Sequence, residues 1–436
     1  MITIIDAPCG TGKTSWAIQE MNRHPEKPFV YCTPFLDEIQ RVRISCGKER
    51  FKEPLPYTGT KIDDFNDLLS QNVNICVTHS TFLNSTEETL QAIHEGGYTL
   101  ILDECLDVVQ PFNSISTVED VPRQQMSKND VKWLLTNGVI TIGDDSKVTW
   151  CGGTAGNDFK FSEAQRLACA GRLYCVNGTF LVTIFPPEIF TAFDEVFAMT
   201  YCFDGYTMKY YLIMFNLGYE LRSIANDNGL YSLVPYNPDA DYVFREKCAE
   251  LIGFCSEDKL NQPETRSLAR NWFEKASKDD LKSLRNQLAH FYRRYLKSKN
   301  VKAADIMWTT LKPYDKDLKG AGYTQTASIT KKEREKLSSS EIERLEKQYS
   351  CFVPCNARAT NDFKDRWALA YCLNLYQNRY IIRFFKDNAV DIDEDAYTIA
   401  NLVQGLCRSR LRKGKAIELY MPSLRMRKLL SKWLKV

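Results

Sequence analysis

Ile2-Thr3-Ile4-Ile5-Asp6 runs directly into Ala7-Pro8-Cys9-Gly10-Thr11-Gly12-Lys13-Thr14, and Ser15-Trp16-Ala17-Ile18-Gln19-Glu20-Met21 follows. The first stretch has the unbroken apolar character of a buried strand and the last reads as a helix. The turn between them fits the phosphate-binding pattern G-x-x-x-x-G-K-[ST] except at its first glycine, where Ala7 stands. Alanine adds little bulk there, and Gly10 and Gly12 keep the loop permissive. Backbone N–H groups of such a loop and the N-terminus of the following helix make a concave anion site. Gly10, Thr11, Gly12, Lys13, Thr14 and Ser15 are therefore the expected nucleotide-binding residues. Lys13 would reach the β- and γ-phosphates of ATP, and the Thr14 hydroxyl would hold Mg²⁺. This places the chain among α/β proteins that take a nucleoside triphosphate.

Working outward, residues 29–32, 74–77 and 98–102 read as further buried strands, each followed by polar residues. Strands alternating with helical patterns imply a parallel sheet with right-handed crossovers, and in such sheets ligands lie at the carboxyl ends of the strands. Those ends carry Thr33-Pro34, Thr78-His79-Ser80-Thr81-Phe82 and Asp103-Glu104. Asp103 is the expected carboxylate on the Mg²⁺ side and Glu104 the group that polarises the attacking water. Residues 110–180 are turn-rich, with hairpin candidates such as Val139-Ile140-Thr141-Ile142. Residues 180–187 and 195–201 look like strands returning to the sheet.

The chain has 436 residues and 44% hydrophobic composition, enough for two packed domains. Its net charge of +2 hides an asymmetry: residues 281–436 carry 32 Lys/Arg against 16 Asp/Glu, and residues 1–280 carry 25 against 39. A cationic half suggests a polyanionic partner, although attraction between the two halves would give the same pattern. Fifteen cysteines and four histidines show no zinc-type spacing, and Cys351 with Cys355 is the only close pair. Reduced thiols in a cytoplasmic compartment are the plain reading. No apolar run reaches eighteen residues and no leader pattern precedes the first strand, so no membrane association is expected.

In the second half, residues 240–300 read as helical, with a basic stretch over 282–302 whose aromatic face (Phe291, Tyr292, Tyr295) is either core or a stacking element. Residues 315–350 are polar and charged. The chain ends in a strand at 416–420 and a basic amphipathic helix at 423–434. Asn401-Leu402-Val403-Gln404-Gly405-Leu406-Cys407-Arg408-Ser409-Arg410-Leu411-Arg412 reads as a helix or helix-loop. Gln404 and Arg408, four apart, would share a face, and an arginine there could offset charge on a transferring γ-phosphate.

Together these pieces resemble superfamily 2 helicases and translocases, the DExD/H-box group. Ala7 to Thr14 resembles motif I, Thr33-Pro34 motif Ia, Asp103-Glu104-Cys105-Leu106 motif II, Met199-Thr200-Tyr201 a divergent motif III, Asn356-Ala357-Arg358-Ala359-Thr360-Asn361-Asp362 motif V, and Gln404 with Arg408 and Arg410 motif VI. The last departs from Q-x-x-G-R-x-x-R, with Cys407 at the glycine and Leu411 at the final arginine. Its R-x-R spacing is similar to that of herpesvirus origin-binding helicases and predicted phage replication helicases. The resemblance implies an α/β fold of two RecA-like P-loop domains with parallel sheets and a helical insertion in the second half. Domain 1 would span 1–204, with an irregular insertion at about 110–180. Domain 2 would span 205–436, with the helical insertion at about 240–300 and motifs V and VI at 356–412. It also implies ATP and Mg²⁺ as cofactors, Gln404, Arg408, Arg410 and Glu104 in catalysis, and nucleic acid, DNA ahead of RNA, on Thr33, Pro34, Thr78, Thr81 and Thr360. Replication or recombination proteins would be partners, and a phage-encoded chain would work in the bacterial host cytoplasm. A packaging motor, a nucleoside kinase, a nucleotide-gated binding module and a duplex translocase are the alternatives.

Overall fold

The computed structural model describes residues 1–56, 59–112, 126–152, 161–256, 267–355 and 363–435. The first apolar runs form β1 (Ile2–Asp6), β2 (Phe29–Thr33), β3 (Phe51–Lys52), β4 (Asn74–Thr78) and β5 (Thr99–Asp103). The irregular stretch supplies β6 (Val109–Pro111), β7 (Ile140–Ile142), β8 (Val148–Trp150), β9 (Leu173–Val176) and β10 (Phe180–Ile184). After them come β11 (Glu195–Thr200), β12 (Tyr219–Asp227) and β13 (Leu230–Pro235). Eight of these strands make one sheet in the order β13-β12-β1-β11-β5-β2-β4-β3. All neighbours are parallel except the terminal hairpin β12–β13. Strands buried on both faces need apolar residues at every position, which is why 2–5, 29–32 and 99–102 contain almost nothing else. Alternation sorts their side chains: Ile4, Val30, Leu100 and Leu102 enter the core on one face, and Ile5, Tyr31 and Ile101 the core on the other.

The stretch 109–184 adds a small antiparallel sheet, β6-β10-β9, and the hairpin β7–β8, over a separate apolar cluster that includes Val131, Leu134, Ile140 and Leu167. The expected hairpin at 139–142 is thus present.

Two compact units emerge. One comprises Met1–Ala7, Thr11–Tyr236 and Gln377–Glu394; the other comprises Pro8–Gly10, Asn237–Tyr376 and Asp395–Val436. The boundary expected at 204/205 differs from this division for two physical reasons. First, β12 and β13 extend the first sheet rather than opening a new one. Second, the helix Arg379–Asp387 returns to the first unit, where Ile381, Phe384 and Phe385 are buried and Tyr380 stacks on Phe180 with ring centroids 3.7 Å apart.

The second unit holds a parallel sheet, β14-β17-β16-β15, built from β14 (Ile252–Phe254), β15 (Ile306–Thr309), β16 (Ala368–Tyr371) and β17 (Ile417–Tyr420). The region read as helical at 240–300 therefore also contributes an edge strand between its helices Pro238–Leu251 and Lys278–His290. The aromatic face at 291–295 is core: Phe291 and Tyr292 are buried, and Phe291 stacks on Tyr420 of β17 at 5.3 Å. The helix Leu424–Leu434 fills the stretch expected to be helical at 423–434 and is capped by Ser423.

Candidate nucleotide site

The helix after β1, α1 (Lys13–Arg23), starts at Gly12, which sits in the left-handed region at φ +96°, and Gly10 lies at φ +87°. Both conformations favour glycine. No side chain caps the helix, and its first turn has no acidic residue. A helix start of this kind suits an anion. Lys13 curls back over the loop and its Nζ donates to the Ala7 carbonyl at 2.5 Å. Ala7 is fully buried, and its N–H donates to the Thr200 carbonyl at 3.1 Å, tying the loop's first residue to the end of β11. Thr11, Thr14 and Ser15 stay part-exposed along the loop and first turn.

Strand register sets a polar row along the sheet's carboxyl edge. Asp6 pairs with Thr200, Asp103 with Met199 one residue earlier, and Thr33 with Thr78, while Cys32 opposite Leu102 brings Thr33 level with Asp103. Asp6, which the sequence presents as an ordinary strand end, accepts from the N–H groups of Cys202 and Phe203 at 2.9 and 3.0 Å and so anchors the turn after β11. Only the clash of a carboxylate at the end of an apolar strand hinted at this.

Asp103 is 8% exposed and accepts a hydrogen bond from the Tyr31 hydroxyl at 3.0 Å. Burial, followed by the charges of Glu104 and Glu38, pushes its carboxyl up to about 7, against the pull of the Tyr31 hydrogen bond and Lys13. A buried carboxylate in this condition is one that a cation would relieve. Glu104 adopts φ +71°, unusual for a non-glycine residue, and its N–H donates to the Met199 carbonyl at 3.0 Å. The buried hydroxyls of Thr33 and Thr200 in the same row have no hydrogen-bond partner among the described residues. Uncapped helix, left-handed glycines, a cation-seeking carboxylate and idle buried hydroxyls together fit a magnesium–triphosphate group.

The residues expected to touch nucleic acid are placed less openly. Thr33 is fully buried and Thr81 nearly so, so neither presents a surface to a strand in this conformation. The Thr78 hydroxyl accepts from the Thr81 N–H at 3.2 Å and caps the short helix His79–Phe82. Pro34 is part-exposed. Thr360 and the rest of 356–362 lie outside the described residues.

In the second unit the helix Glu394–Leu406 carries Gln404 on its last turn and ends before Arg408, so the expected shared helical face does not form. Arg408 is buried. It lines a small cavity with Thr309 and Tyr371, the last residues of β15 and β16, whose hydroxyls have no hydrogen-bond partner among the described residues. Arg410 is committed elsewhere: its Nε donates to the Ala416 carbonyl at 2.5 Å, and its guanidinium lies 5.3 Å from the Trp367 ring centre.

Residues 246–434 match the family model described as the YonV C-terminal Rossmann-like domain. The SPbeta prophage-derived uncharacterized protein YonV of Bacillus subtilis (strain 168) is 32% identical over 443 residues, covering 99% of this chain and 98% of that protein. Among solved structures, the apo form of XPD aligns over 99% of this chain and 95% of its own length at 10% identity, with a TM-score of 0.50. An XPD helicase aligns over 99% and 94% at 10% identity, with a TM-score of 0.49. The fold is therefore that of XPD, with two RecA-like domains.

Proposed function

We propose, for a chain that belongs to the YonV family, that it is an ATP-hydrolysing helicase or translocase acting on nucleic acid. The observation that carries this reading is the polar row at the carboxyl edge of the first sheet: an anion-ready helix start beside a buried carboxyl raised to about 7. Gly10, Thr11, Gly12, Lys13, Thr14 and Ser15 would hold the triphosphate. Thr14 and Asp103 would hold Mg²⁺, which when bound offsets charge on the β- and γ-phosphate oxygens. Glu104 orients and deprotonates the attacking water, its position fixed by the left-handed backbone and the bond to Met199. From the second unit, Arg408 is the favoured arginine to offset γ-phosphate charge, with Gln404 as its neighbour. Arg410 takes a supporting part, since its guanidinium already serves Ala416 and Trp367.

The cationic second half supports a polyanionic partner, and DNA is the preferred one. Pro34 and Thr78 would meet the strand, with Thr33 and Thr81 supporting them from inside and Thr360 as a further contact. The prophage origin of the relative supports a place in phage replication or recombination, in the host cytoplasm. The scattered cysteines, without zinc-type spacing, suit a reducing compartment.

The test is ATP turnover measured alone and with single-stranded DNA, duplex DNA, forked DNA and RNA. Stimulation by at least one nucleic acid is expected. Turnover indifferent to all four would favour a nucleotide-gated binding module instead.

A further inference from the structure

The hairpin β12–β13 turns through Asn228-Gly229, both with positive φ (+50° and +90°), the geometry that a two-residue hairpin prefers. It is fastened to α1 rather than projecting freely. Gln19 Nε2 donates to the Gly229 carbonyl at 2.7 Å, the Tyr231 N–H donates to Gln19 Oε1 at 3.0 Å, and an Arg23 Nη2 donates to the Tyr231 carbonyl at 3.4 Å. These bonds lay the half-buried Tyr231 ring directly on the phosphate-binding loop. A Cβ added to Gly12 would lie 2.1 Å from Tyr231 Cε1 and 2.7 Å from its Cζ.

Sheet order then says which end of a nucleotide the ring faces. Asp103 lies on β5, on the β11 side of β1, so the metal-bearing end of the triphosphate points to that side. With its phosphates held at the start of α1, the rest of the nucleotide leaves on the other side, that of β12 and β13. We infer that Tyr231 is the base-side wall of the nucleotide site and that its aromatic face carries the base or ribose by stacking. This rests on the triphosphate reading given above. Stacking of this kind tolerates any base, so it supplies affinity for the nucleoside rather than strict selection of adenine.

Titration calorimetry on the full chain with magnesium tests it, using ATP and inorganic tripolyphosphate as ligands. Tyr231→Ala and Tyr231→Leu should each weaken ATP binding about tenfold, while tripolyphosphate changes by less than about twofold. Tyr231→Phe should bind both like the wild type. The Leu variant keeps apolar bulk against α1, so a loss with Leu but not with Phe assigns the effect to the ring. Equal losses for both ligands, or undiminished ATP affinity in the Leu variant, would overturn the inference. Lys13→Ala reports on the underlying reading separately: it should weaken both ligands, and if it weakens neither, the triphosphate assignment itself fails.

Discussion

Both sheets end their central parallel strands in polar side chains, but the two edges carry opposite charge. In the first unit the edge holds Asp6, Thr200, Asp103 and Thr33, with one carboxyl buried at the cost of its ionised form. In the second it holds Thr309 and Tyr371 around the buried Arg408. The contrast teaches that the same architecture can bury an acid at one sheet edge and a base at the other, and for Asp103 that burial works against its ionised form.

Predictions that probe this contrast run from large to small. Arg408→Ala should reduce nucleic-acid-stimulated kcat about a thousandfold while ATP still binds, whereas Arg410→Ala should cost less than about tenfold. Steady-state rates together with equilibrium nucleotide binding decide between them; equal effects would erase the distinction between the two arginines. Glu104→Gln should lower kcat by about a hundredfold or more with little change in ATP affinity. Single-turnover hydrolysis separates that from a binding defect.

Stability offers a third route. The Asp103 carboxyl titrates higher in the folded chain than in the unfolded one, so ionising it works against folding. That cost is absent below about pH 4 and complete above about pH 7. Without divalent cations, Asp103→Asn should therefore stabilise the protein by about 4 kcal/mol at pH 8, and the gain should vanish as pH falls toward 4. Thermal melts across that range check it; a constant difference would mean the carboxyl is not strained by burial. The smallest effect is expected at Thr78, where Thr78→Ala removes a helix cap and should cost about 1 kcal/mol in a denaturant melt.

The polar edge of the first unit was readable because its strands are continuous apolar runs that stop abruptly at a polar residue: Ile5 before Asp6, Leu102 before Asp103. What escaped reading depends on contacts distant in sequence. β12 carries Glu220, Arg222 and Ser223 among its apolar residues, so nothing local shows that it pairs with β1 more than two hundred residues earlier. The stripe Tyr380, Ile381, Phe384 and Phe385 announces a helix with a buried face, but not that Phe180 is what it meets. β14 is three residues long and hides between helices. Phe291 and Tyr292 look alike as core or as a stacking platform until Tyr420 is seen against them. Tyr231 matters only once the Asn228-Gly229 turn has laid it on Gly12.

The most direct trial of the account is ATP hydrolysis by the full chain with magnesium and saturating single-stranded DNA, wild type beside Lys13→Ala. DNA-dependent phosphate release that the substitution reduces to background is the predicted result. Release that persists at the wild-type rate in Lys13→Ala would contradict the central claim that this loop holds the triphosphate.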